Sequence, residues 1–195
     1  MKNYITKQIA DSAATKQAIL ENDALVNLLV DVAKACVDVY RNKKKILIAG
    51  NGGSAADAQH FAAELVGRYG FDRPSLPSIA LTTDSSNLTA IGNDYGYEYV
   101  FSRQLEGLAQ EGDLFIGIST SGNSQNVINA FTAAKERGVT TVALVGRDGG
   151  KMAIMADYAV VIPSNATPRI QESHLLIEHI ICDIIEKEMF GGGVA

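Results

Sequence analysis

From about residue 42 onward the chain alternates between short, unbroken apolar runs and longer stretches whose apolar residues recur every third or fourth position. The runs 46–49, 78–82, 114–118, 141–145 and 158–162 have the length and β-branched content of buried strands. Between them, 55–69, 86–91, 98–109, 125–137 and a short piece near Met152 carry helical spacing. Strands alternating with helices predict an α/β fold, a doubly wound five-stranded parallel sheet flanked by helices on both faces. Ahead of this core, Leu25, Leu28, Leu29, Val32, Cys36 and Val39 repeat at helical spacing, with Asn22-Asp23 as turn and cap, so two helices are expected over 1–41. The first has Ile5 and Ile9 and then little that is large and apolar before Ile19 and Leu20. So thin a stripe packs poorly alone, which suggests a helix used in oligomerisation. A last helix is predicted over 168–189, with Ile177, Ile180, Ile181, Ile184 and Ile185 on one stripe, and 191–195 should fray. No linker interrupts the pattern, so a single domain over 1–195 is expected, its helical segment 1–41 leading into a core over 42–195.

Two places along this pattern carry chemistry. Lys45-Ile-Leu-Ile-Ala-Gly-Asn-Gly-Gly-Ser54 reads as strand, glycine turn and helix start, with Ser54 as the expected N-cap. Such a turn aims free backbone N–H groups and the positive end of a helix dipole at one point, where an anion is held without Lys or Arg. His60 and Glu64, four apart, then share one face of the helix. Asp113-Leu-Phe-Ile-Gly-Ile-Ser-Thr-Ser-Gly-Asn-Ser124 repeats the design, and Ser119, Thr120, Ser121 and Ser124 supply hydroxyls beside Gly122 at a second helix start. A monophosphate cup fits this loop, although Ser, Gly and Asn also serve as ordinary turn and cap residues. The first loop satisfies a dinucleotide fingerprint only weakly: Asp84, the nearest acid at a strand end, lies well beyond the roughly 20 residues the fingerprint expects.

Composition narrows the ligand. The chain has 195 residues, 47% apolar and 20% charged, with 17 basic against 22 acidic residues and a net charge of −5. That acidic balance argues against a nucleic-acid surface. The N-terminal residues lack the apolar core of a signal peptide and no apolar run approaches a membrane span, so the expected location is the cytoplasm, with no membrane partner. Cys36 and Cys182 lie in apolar helical stretches and read as buried free thiols.

Four polar residues interrupt the last helix beside its isoleucines: Gln171, His174, Glu178 and His179. Gln171 and His179 are two turns apart and flank the same side. With His60 and Glu64 they make either a four-ligand zinc site or a general base and general acid. His174 and Glu178 read instead as an exposed i, i+4 pair. Asn93-Asp94 is a turn signal, and equally a pair of side chains suited to polyol hydroxyls.

The series AGNGGSAADAQHFAAELVGRY, LTAIGNDYGYEYVFSRQ, GDLFIGISTSGNSQNVI, GRDGGKM and TPRIQESHLLIEHIICDIIEKEMF resembles the bacterial phosphoheptose isomerases of the sugar isomerase (SIS) fold, over nearly the whole chain. The resemblance implies interconversion of sedoheptulose 7-phosphate and D-glycero-D-manno-heptose 7-phosphate through an enediol, the first step toward nucleotide-activated heptose for lipopolysaccharide or capsule. It implies a homotetramer with one zinc per subunit and sites between subunits. Carried over by position, the metal ligands fall on His60, Glu64, Gln171 and His179, and the acid-base pair on Glu64 and His179. The contacts to the phosphorylated seven-carbon sugar fall on Asn51, Gly52, Gly53, Asn93, Asp94, Ser119, Thr120, Ser121, Ser124 and Gln171. The chain departs from that pattern at Ala55-Ala56 and in the loop before Arg169. A non-enzymatic relative, the DnaA initiator-associating protein, also resembles it in the loops and in SLPSIALTTD and LTAI, but lacks the acid-base pair present here.

Overall fold

A computed structural model describes residues 1–193. Helices α1 (Lys2–Leu20) and α2 (Asp23–Arg41) precede a core in which β1 (Ile46–Gly50), α3 (Gly53–Val66), β2 (Ser78–Ala80), α4 (Ser85–Asp94), α5 (Ser102–Leu108), β3 (Leu114–Ser119), α6 (Gln125–Glu136), β4 (Thr140–Gly146), α7 (Gly150–Met155), β5 (Tyr158–Ile162) and α8 (Thr167–Glu186) follow in order. The five strands are all parallel, in the order β2-β1-β3-β4-β5. Every residue of β1 and β3 is buried, which is why both read as unbroken apolar runs rather than as alternating ones.

Successive residues point to opposite faces of the sheet. Ile46, Ile48, Leu114, Ile116, Val142 and Leu144 pack against α2, α3 and α8, through Val32, Cys36, Phe61, Leu65, Ile177 and Ile181. Leu47, Phe115, Ala143 and Val145 pack on the other face against Phe101, Leu105, Val127, Phe131 and Met152. Gly117 in β3 has no side chain because Phe131 and Val127 of α6 occupy its place.

Several boundaries differ from the sequence expectation, each for a local reason. Ser54 is not the N-cap: α3 begins two residues earlier than expected, at Gly53, and its cap is Gly52, at φ +56°. The predicted helix 98–109 is broken, with a single 3-10 turn at Tyr97–Tyr99 before α5. Asn93 and Asp94 form the last turn of α4 rather than a loop, because Asp84 caps that helix through Asn87 N and its i→i−4 ladder runs to Tyr95. The isoleucine stripe of α8 divides, with Ile177, Ile181 and Ile185 buried and Ile180 exposed. After α8 the chain widens into a π-helical turn, Lys187–Gly191; of the stretch expected to fray, Val194 and Ala195 lie outside the described residues.

Candidate active site

In this strand order the connection leaving β1 and the one leaving β3 run to opposite faces, which opens a crevice at their carboxyl ends. α3 leaves toward the first face, burying Phe61 and Leu65, and α6 toward the second, burying Val127 and Phe131. The two Gly/Ser loops therefore lie side by side at the switch point. They are joined by a reciprocal amide pair: Asn51 Nδ2 donates to Asn126 Oδ1 at 2.9 Å, and Asn126 Nδ2 to Asn51 Oδ1 at 2.8 Å.

The second loop forms a hydroxyl cup. Ser119 Oγ lies 2.9 Å from Ser124 Oγ and 3.4 Å from Ser121 Oγ, with Ser119 buried. Gly122 takes φ +65° and abuts the backbone carbonyl of Gly149, so no side chain fits there. Asn123 ties the loop to the start of α7, accepting the backbone N–H of Lys151 at 3.2 Å. An adjoining cleft of about 440 Å³ is lined by Asn51, Tyr97, Glu98, Ser124, Gln125 and Asn126. Hydroxyls, free N–H groups and two helix N-termini converge here, which suits a phosphate and a chain of sugar hydroxyls.

A second cluster comes from two helices on the first face. His60 Nε2 of α3 and His179 Nε2 of α8 are 2.7 Å apart, and Glu64 Oε1 is 3.5 Å from His60 Nε2. The three side chains can present one ligand atom each within 4.8 Å of one another. Two imidazoles and a carboxylate are a donor set able to hold a divalent metal ion. Gln171 reaches α3 one turn earlier, where its Nε2 donates to Asp57 Oδ2 at 3.2 Å. Its amide also fills the space a side chain on Gly53 would need, so the second glycine of the loop is required by a site residue from α8. Burial raises the Asp57 carboxyl above the ordinary value, against the lowering effects of Gln171 and His60.

The structure thus joins His60, Glu64 and His179, sets Gln171 against Asp57 and Gly53 in the first turns of α3, and gathers Ser119, Ser121 and Ser124. Thr120 is half-buried in the same loop. Asn93 and Asp94 hydrogen-bond to each other at 2.8 Å on the exposed end of α4. His174 and Glu178 do not form the exposed pair expected of them, since both are fully buried. They fall on the face of α8 that meets the sheet: His174 Nε2 bonds the Val145 carbonyl at 3.0 Å. Burial pushes the His174 imidazole down to about 4, with the Val145 bond opposing. Burial, and then the Asp57 charge, push the Glu178 carboxyl up to about 8. Both cysteines are buried free thiols as expected, and burial raises Cys36 to about 12. Asp57 and Asn126 were missed from sequence. An Asp in an Ala-rich helix and an Asn after an N-cap look like ordinary surface residues, and no spacing rule marks them.

Residues 9–146 match the SIS domain family. A phosphoheptose isomerase of Sulfurimonas denitrificans is 72% identical over 194 residues, covering 100% of both chains. One from Aneurinibacillus thermoaerophilus is 58% identical over 97% of this chain and 96% of its own. The solved structure of a phosphoheptose isomerase from Neisseria gonorrhoeae superposes with a TM-score of 0.90 at 48% identity, covering 95% of this chain and 98% of that one. With the switch-point loops and the His/Glu cluster in place, these likenesses make the chain a member of the phosphoheptose isomerases within the SIS domain family.

Proposed function

We infer that the protein is an aldose–ketose isomerase that interconverts sedoheptulose 7-phosphate and D-glycero-D-manno-heptose 7-phosphate through an enediol. The observation that carries this reading is the convergence of His60, Glu64 and His179 from α3 and α8, in a fold where α3 itself opens from one of two phosphate-type loops. The Ser119–Ser124 cup, with Asn51, Gly52 and Gly53 at the start of α3, anchors the phosphate and the near hydroxyls. Asn93 and Asp94 take further hydroxyls. A substrate fixed at its phosphate end presents its carbonyl carbons to the acid-base pair in one orientation. Starting from the ketose, Glu64 takes a proton from C1 while His179 gives one to the C2 oxygen, which leaves the enediol. His179 then removes the C1 hydroxyl proton and Glu64 returns a proton to C2, giving the aldehyde. Zinc held by His60, Glu64, Gln171 and His179 would supply positive charge to stabilise the oxygen anion.

We further propose that the assembly is a homotetramer with shared sites. Tyr4, Ile5 and Ile9 of α1 are exposed, as is Ile180 of α8, and a groove of about 490 Å³ between α2 and α8 sets Val30, Ala33, Val37 and Ile184 beside the charged Lys34, Asp38, Arg41 and Glu188. The product serves as the precursor of nucleotide-activated heptose for lipopolysaccharide or capsule. A cytoplasmic location is part of this proposal, since a doubly charged sugar phosphate does not cross bilayers and would be used in the compartment that makes it. Among the described residues, no helix is long and apolar enough to cross a membrane. The non-enzymatic, DnaA-associating alternative gains no support from the relatives. Turnover of sedoheptulose 7-phosphate by zinc-loaded protein tests the reading, with Glu64→Gln as reference. The wild type should convert the ketose and Glu64→Gln should lose about three powers of ten in kcat; equal rates would remove Glu64 from the mechanism.

A further inference from the structure

Two turns beyond His179, α8 carries Glu186, a carboxylate only 1% exposed. It accepts the backbone N–H groups of Tyr69 (2.8 Å), Gly70 (2.6 Å) and Phe71 (3.0 Å), and Arg73 Nε donates to it at 3.0 Å. Burial works to raise this carboxyl, but those four donors outweigh it and hold it below the ordinary carboxylate value. The guanidinium in turn spans the end of α3. Nη2 donates to the Glu64 carbonyl at 2.8 Å, and Nη1 to the carbonyls of Leu65 (2.6 Å), Gly67 (3.1 Å) and Pro74 (3.1 Å).

The carbonyls of a last helical turn have no partner within the helix and carry the negative end of its dipole. Arg73 supplies donors and charge at that end, including to the carbonyl of Glu64 itself. The loop so tied also sets the Tyr69 ring 5.8 Å from the His179 imidazole, tilted by 43°. α3 and α8 are therefore fastened to each other on both sides of the acid-base cluster. One fastening is Gln171 on Asp57 and the other is the Arg73–Glu186 pair, both of whose side chains are 2% exposed. A buried ion pair is weak as a source of stability, since apolar side chains of similar size often serve as well. What apolar residues would not reproduce is the fixed direction of four bonds to Glu186 and of the fork on α3.

We propose that Arg73 and Glu186 are positioning residues for the isomerisation: they fix the last turn of α3, and with it Glu64, against the face of α8 that carries His179. This rests on the reading that Glu64 and His179 transfer the protons. A displacement of about 1 Å in such a geometry costs on the order of a hundredfold in rate.

The test measures kcat and KM for sedoheptulose 7-phosphate in zinc-loaded wild type, Glu186→Gln, Arg73→Lys, Arg73→Met and Glu64→Gln, with a thermal melt of each. Glu186→Gln should lower kcat about ten- to a hundredfold and leave KM within about threefold, because the phosphate cup is untouched. Arg73→Lys, which keeps a donor and a charge, should recover part of what Arg73→Met loses. A kcat within twofold of wild type in both Glu186→Gln and Arg73→Lys, while Glu64→Gln is crippled, overturns the positioning role and leaves the catalytic reading intact. Equal loss in Arg73→Lys and Arg73→Met, with kcat falling in step with the folded fraction, also overturns it by making the pair merely structural. Wild-type turnover by Glu64→Gln would defeat the catalytic reading, and the positioning role with it.

Discussion

Gly53→Ala separates the site from the fold at a single methyl group. Gly53 is the first residue of α3 and its φ is not in the left-handed region, so alanine suits the backbone and, by helix propensity alone, adds at most about 1 kcal/mol. The new Cβ, however, lands on the side-chain amide of Gln171, touching its nitrogen, carbon and oxygen together. Gln171 must swing away and forfeit its 3.2 Å bond to the nearly buried carboxylate of Asp57. A hydrogen bond to a charged group is worth about 1.5–3 kcal/mol. Set against the propensity gain, the net loss of stability is about 0.5–2 kcal/mol, or a fall in Tm of roughly 1–8 °C for a chain of this size. Activity should fall further, because Gln171 is both a proposed metal ligand and a sugar contact. Removing one interaction of that strength from the transition state lowers kcat/KM about ten- to a hundredfold. Steady-state kinetics beside a thermal melt measures both. Gly107→Ala is the control, since nothing lies within 4 Å of a Cβ there, and its kinetics should match wild type. A Gly53→Ala enzyme with kcat/KM within twofold of wild type would refute the contact between Gln171 and the loop.

Two further outcomes follow from buried and clustered groups. His174, lowered to about 4 in the fold from an ordinary 6.5, is held neutral; the unfolded chain takes up its proton first, so this contribution is intact above pH 6.5 and is lost as pH falls toward 4. Up to about 3 kcal/mol is at stake, and urea melts between pH 4 and 7 should show a shallower acid slope in His174→Gln than in wild type; equal slopes would remove His174 as the source. Elemental analysis of protein purified without chelator should find about one zinc per chain, lost in His60→Ala and in His179→Ala; zinc retained by both variants would mean that other residues hold it.

Much of this architecture was legible because it is dictated locally. β1 and β3 are buried on both faces, so their apolar runs are continuous, and the glycines after β1 announce the turn where Gly52 takes its positive φ. His60 and Glu64 were legible for the same reason, being one helical turn apart. The two-turn spacing of Gln171 and His179 put them on one side of α8 and suggested the pairing, and the resemblance assigned their roles, but spacing alone does not say which side of α8 faces α3. The error on His174 and Glu178 shows this: four-residue spacing predicts that they share a face, but which face the sheet covers is set by tertiary packing. Arg73 and Glu186 were illegible altogether. Their partners are mostly backbone groups, and more than a hundred residues separate the two, so no local pattern marks either one.

The central claim is that Glu64 and His179 move a proton between adjacent carbons of a seven-carbon sugar phosphate. The measurement closest to it is isomerisation of sedoheptulose 7-phosphate in deuterated buffer, followed by NMR and mass spectrometry of the aldose, with Glu64→Gln alongside. A quarter of the Glu64 side chain is exposed, so a proton it holds exchanges with solvent. The aldose formed by the wild type should therefore carry deuterium at C2, and Glu64→Gln should form neither the aldose nor the label at a comparable rate. No conversion by zinc-loaded, fully assembled wild-type protein, or equal labelling in both proteins, would contradict the account.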